Sequence, residues 1–100
     1  MKTAKKILRH KPETRRTINE ISSFIGSEKS AEMLDQIAEL KNRTIEIISD
    51  KLNDPKYDHW YFYQCGVDYN HEIITICHRY RINYINKLEE KRHADLGGPF

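Results

Sequence analysis

Long apolar runs are missing from this sequence. The longest unbroken one is Trp60, Tyr61, Phe62 and Tyr63, far short of the roughly 20 residues that cross a bilayer as a helix. No membrane partner is expected. Glycine and proline are scarce, at four and three residues, which excludes collagen-like and low-complexity classes. The two cysteines, Cys65 and Cys77, are too few for a disulfide framework and read as reduced thiols. The start of the chain lacks the apolar core of a secretory signal, having only Ile7 and Leu8 before Arg9 and His10. It is also Lys-rich and nearly Ser-free, unlike a mitochondrial transit peptide, so a cytoplasmic protein is expected.

Catalytic motifs are missing too. There is no Gly-rich phosphate loop, no G-x-S-x-G, no H-E-x-x-H and no paired-carboxylate motif, so the chain reads as no enzyme. His71 with Glu72, or His78 with Arg79, Tyr80 and Arg81, are the only material for a small ribonuclease, in which His moves protons and Arg stabilises phosphorane charge. His59, Cys65, His71 and Cys77 recur every six residues, but ligands six apart on a helix do not converge and no C-x2-C or H-x3-H pair is present. His71 and His78 share a face about 10 Å apart along a helix axis, too far to chelate one ion unaided. No metal and no cofactor are expected.

What is present is a polar globular composition, with 38% hydrophobic and 32% charged residues. At 100 residues the chain suits one domain over residues 1–100, preceded by a basic N-terminal arm at about 1–11. The net charge of +2 conceals a strong asymmetry. Residues 1–16 hold seven Lys or Arg against Glu13, a local charge of +6; residues 17–58 carry −4 and the remainder is neutral. A cluster of this kind neutralises phosphates without reading sequence. Lys5, Lys6, Arg9, Lys11, Arg15 and Arg16 are therefore the candidate nucleic-acid-binding residues, with Lys2 in the same arm. The competing interpretation is a frayed, solvated terminus.

Periodicity favours an all-α fold, a small three- to four-helix bundle with a long central helix. Pro12 suits a first helical turn, Ile18, Ile21 and Ile25 share one face with Phe24 beside them, and Gly26 suits a C-cap. A second helix is predicted over about 28–52, carrying Met33, Leu34, Ile37, Ala38, Leu40, Ile45, Ile47, Ile48 and Leu52. Asn53, Asp54 and Pro55 break it. A short helix from Pro55 to Cys65 is predicted to end at Gly66, and Asp68 or Asn70 to cap a last helix over about 70–93. The alternative is α+β with a hairpin in 59–82, because the aromatic density of 59–65 and the alternation of 74–84 both suit strands. The unbroken helical pattern into 87–93 argues for helix. Residues 12–36 have the outline of a helix-turn-helix, but Glu28, Glu32, Asp35 and Glu39 would repel DNA from the second helix.

Aromatic residues are clustered. Tyr57, Trp60, Tyr61, Phe62 and Tyr63 fall within seven positions, and one element cannot bury them all. Tyr, Trp and Arg dominate binding hot spots, so Tyr57, Trp60, Tyr61, Tyr63, Arg79 and Arg81 are the candidate partner-binding residues. The expected function is non-catalytic: stoichiometric protein-protein contact of an inhibitor or adaptor type, on a nucleic-acid-handling complex. The alternatives are a nucleic-acid-binding accessory or regulatory protein using the basic arm, and the small ribonuclease. Self-association is left open.

Overall fold

The computed structural model describes residues 3–97. It contains four helices: α1 (Ala4–Ile7), α2 (Pro12–Ile25), α3 (Ser27–Ser49) and α4 (His59–Gly97). No strand occurs among the described residues, so the chain is a small all-α bundle and the hairpin in 59–82 is not formed.

Helix α2 begins as its sequence requires, with Pro12 in the first turn and Glu13 at the positive end of the dipole. Ile18, Ile21 and Ile25 are buried along one face, each burial contributing about 1.5–3 kcal/mol. Phe24, one position out of phase, stays largely exposed. Gly26 alone separates α2 from α3, with φ at +86°, a backbone conformation that a side chain disfavours. Its carbonyl accepts the Ser30 N–H at 2.9 Å, and the hydroxyls of Ser22 and Ser30 hydrogen-bond across the corner. Met33, Ile37, Leu40 and Ile48 carry the buried face of α3.

Two boundaries differ from the sequence reading. Helix α3 stops at Ser49, leaving Leu52 in the turns of residues 50–57. Asp54 does not start a helix there: its carboxylate accepts the Lys56 N–H two residues on, a local turn, and Asp58 caps α4 by accepting the Tyr61 N–H at 3.1 Å. From His59 the chain then stays helical for 39 residues. The predicted short helix and last helix are thus one element, and α4, rather than the helix near 28–52, is the longest. Gly66 and Asn70 fail to interrupt it because each has a tertiary role that suits a helix interior. The face bearing Phe62, Tyr69, Ile73 and Cys77 is buried.

From Thr3 onward the basic arm is docked on the bundle. Thr3 caps α1 by accepting the Lys6 N–H, and Ala4 and Leu8 join the core, Leu8 being 1% exposed. Met1 and Lys2 lie outside the described residues. No helix among the described residues is long and apolar enough to cross a membrane. The molecule is elongated, 67 × 22 × 20 Å with a radius of gyration of 18.1 Å, against about 13 Å for a compact chain of this length.

Candidate functional site: a cationic groove

A groove of about 600 Å³ runs between the N-terminal segment and the first three turns of α4. One wall is helical. His59, Phe62, Tyr63, Gly66, Val67 and Asn70 all line it, a spacing that keeps them on one helix face. The facing wall is the segment from Lys6 to Arg15, with Ile7 and Pro12 supplying its apolar part.

Asn70 fixes the distance between the walls. It is 5% exposed and uses its whole hydrogen-bonding capacity. Its Oδ1 accepts the Lys11 N–H at 3.0 Å and the Thr14 hydroxyl at 2.7 Å, while its Nδ2 donates to the carbonyls of Arg9 at 3.0 Å and Gly66 at 2.8 Å. A buried carboxamide so satisfied holds extended backbone where no helix or sheet would. Gly66 permits the approach. A Cβ there would sit 2.6 Å from the Ile7 carbonyl oxygen, so only glycine lets α1 lie against α4 at this point.

Lys6, Arg9, Lys11 and Arg15 border the groove. A neighbouring hollow shares Lys6, Arg9, His10 and Arg15 and adds Lys5 and Lys41. Six Lys and Arg side chains therefore line the two hollows, and among the described residues no carboxylate lines either. Five of the six candidate nucleic-acid-binding residues are brought together here; Arg16 is exposed on α2 and lines neither hollow. Lys41, contributed by α3, was not singled out in the sequence because it is 26 positions from Arg15 in an otherwise acidic segment.

His10 lines both hollows. Its Nε2 is 3.0 Å from the Tyr69 hydroxyl. Burial first, then the positive charges of Lys41 and Arg15, hold its pKa below the ordinary 6.5, leaving the ring neutral at neutral pH. Tyr69 is buried beneath it, and that burial pushes its hydroxyl up to about 12.

The candidate partner-binding residues divide into three groups. Trp60, 68% exposed, and Tyr63, 56% exposed, form an edge-to-face pair with ring centroids 6.0 Å apart. Tyr63 and His59 belong to the groove, and His59 also meets the Trp60 ring. Tyr57 and Tyr61 turn instead toward Lys51, whose Nζ donates to the Tyr61 hydroxyl at 2.9 Å and lies 5.2 Å from the Tyr57 ring centre. Both rings are engaged within the fold, pinning the 50–58 turns to α4. Arg79 and Arg81 are exposed but lie about 24 Å or more along α4 from Tyr63. Arg79 borders a separate cleft of about 510 Å³ in which Lys29, Lys87, Glu32 and Glu90 mix charges.

Burial pushes the Cys77 thiol up to about 11, and both cysteines are free. Among the described residues no group of three or more His, Cys, Asp or Glu side chains is arranged to hold a metal ion. The chain matches no family model, and no curated protein or solved structure is significantly similar to it.

Proposed function

We propose that this protein binds the phosphate backbone of a nucleic acid, without catalysis, along the paired hollows of its N-terminal segment. The observation that carries the reading is the set of six cations, Lys5, Lys6, Arg9, Lys11, Arg15 and Lys41, lining those hollows with no carboxylate among the described residues there. Each Lys or Arg that neutralises a phosphate releases a counterion, so the affinity is expected to follow salt concentration. Ordering also favours this interpretation. A docked segment loses less conformational entropy on binding than a free tail would. The setting is taken as cytoplasmic, where Cys65 and Cys77 stay reduced.

The test is fluorescence anisotropy of a labelled 12-nucleotide single strand with the full chain. About five phosphate contacts give a log-log salt slope near −3.5, an affinity loss of about 100-fold from 50 to 200 mM salt. Changing Lys6, Arg9 and Arg15 together to Gln should flatten the slope and weaken binding in parallel. A salt-independent affinity, or one untouched by those changes, contradicts the reading.

The second reading, stoichiometric contact with a protein partner as an inhibitor or adaptor, is favoured by one observation: Trp60 and Tyr63 expose large rigid rings side by side. It predicts a salt-tolerant complex lost on Trp60→Ala.

A further inference from the structure

Phosphate binding alone would not need the apolar part of the groove. The same groove that Lys6, Arg9, Lys11 and Arg15 line is also lined by Ile7, Pro12, Phe62, Tyr63 and Val67. Its volume of about 600 Å³ falls in the range of sites that receive a small organic ligand, about 300–1,000 Å³. Aromatic and aliphatic carbon beside positive charge complements a molecule with a flat apolar face and an anionic edge. We propose that the groove receives an unpaired nucleotide, its base against the Tyr63 and Phe62 side and its flanking phosphates on Arg9, Lys11 and Arg15. The chain thus binds single-stranded nucleic acid in preference to duplex. This rests on the phosphate-binding reading and deepens it.

Duplex is disfavoured for a geometric reason. Its bases are stacked on each other and present only their edges, whereas unpaired bases offer a free face to aromatic side chains. The outer surface does not compensate, because exposed Glu28, Glu32, Asp35, Glu39 and Glu46 make α3 acidic. A rigid duplex spanning the molecule would meet that charge. A flexible single strand follows the cationic hollows alone.

Asn70 and His10 are not free to choose among bases. Asn70, the carboxamide best suited to read a base edge, has all four of its bonds committed to Arg9, Lys11, Thr14 and Gly66. The His10 Nε2 is occupied by Tyr69. Stacking without edge readout gives sequence-tolerant binding.

The experiment compares five labelled probes at one salt concentration: a 12-nucleotide DNA strand, the same strand as RNA, the DNA strand with abasic sites at its central four positions, its duplex, and inorganic polyphosphate. Intact single strands should bind tightest, and abasic substitution or Tyr63→Ala should each weaken binding by about 5- to 100-fold. The far-ultraviolet circular dichroism spectrum and melting curve of Tyr63→Ala show whether the variant is folded. Equal affinity for DNA and RNA marks the base and phosphate as the shared ligand; a preference for RNA adds a contact to the 2′-hydroxyl. Duplex or abasic DNA binding as tightly as the intact strand overturns the nucleotide site while leaving phosphate binding standing. Binding of none of the five overturns both.

Discussion

Two small side-chain choices on α4 decide whether the groove exists. Glycine in a helix interior ordinarily costs about 0.5–1 kcal/mol relative to alanine, so local propensity alone says Gly66→Ala should stabilise. The structure says the reverse. The added Cβ meets the Ile7 carbonyl oxygen at 2.6 Å, a backbone atom that moves only with the whole of α1. A net loss of about 1–3 kcal/mol is expected, read as a lowered melting temperature together with weaker oligonucleotide binding. A raised melting temperature would show that α1 does not rest on α4 there. Asn70 was equally opaque in the sequence. A polar residue amid Tyr69 and Ile73 resembles a cap, and its true partners, Arg9, Lys11 and Thr14, lie 56 to 61 positions away. Gly26, in contrast, was legible: it follows an isoleucine stripe directly, and its +86° φ is the local geometry that such a position demands.

At the scale of elements, hydrophobic period was a good guide to α2 and α3 and a poor one to where α4 begins and ends. Ile18, Ile21 and Ile25 recur with no competing pattern, whereas residues 59–84 satisfy both strand and helix periods because aromatic and β-branched residues occupy half of the positions, clustered at 60–63 and 73–76. Tertiary packing settles the matter by burying Phe62, Tyr69, Ile73 and Cys77, one helical face. Burial along α4 is uneven. Residues 86–94 are all exposed, so this stretch draws little stability from burial and relies mainly on its own hydrogen bonds, which are marginal in water. Native-state hydrogen exchange should therefore protect amides of residues 66–80 at close to the global stability and those of 86–94 by far less. Uniform protection along α4 would mean that the outer turns are covered in solution.

The whole molecule is polarised. Cations drawn from three separate helices and the segment between α1 and α2 meet at one end, while the solvent face of α3 is acidic. The sequence disclosed the charge of the arm but not its destination, since nothing in residues 1–16 announces Asn70, Gly66 or Lys41 as neighbours. It also suggested one aromatic surface with Arg79 and Arg81, which helix length separates from Trp60 and Tyr63. His10 lines both hollows and, after burial, feels Lys41 and Arg15, and that makes one histidine a probe of the assembled site. A base whose folded pKa is lowered binds fewer protons in the folded than in the unfolded chain. Its contribution to stability is complete above the unfolded value of 6.5 and is lost as pH falls through the folded value. A bound polyanion acts oppositely. It offsets the charges of Lys41 and Arg15, raises the pKa of His10, and by linkage binds more tightly as the pH is lowered through that range.

Titration of the His10 ring by NMR, with and without a saturating 12-nucleotide single strand, tests the docked cationic groove most directly. The account predicts a pKa below 6.5 in the free protein and an upward shift when the strand is bound. A free-state pKa at or above 6.5, unmoved by the oligonucleotide, would contradict it.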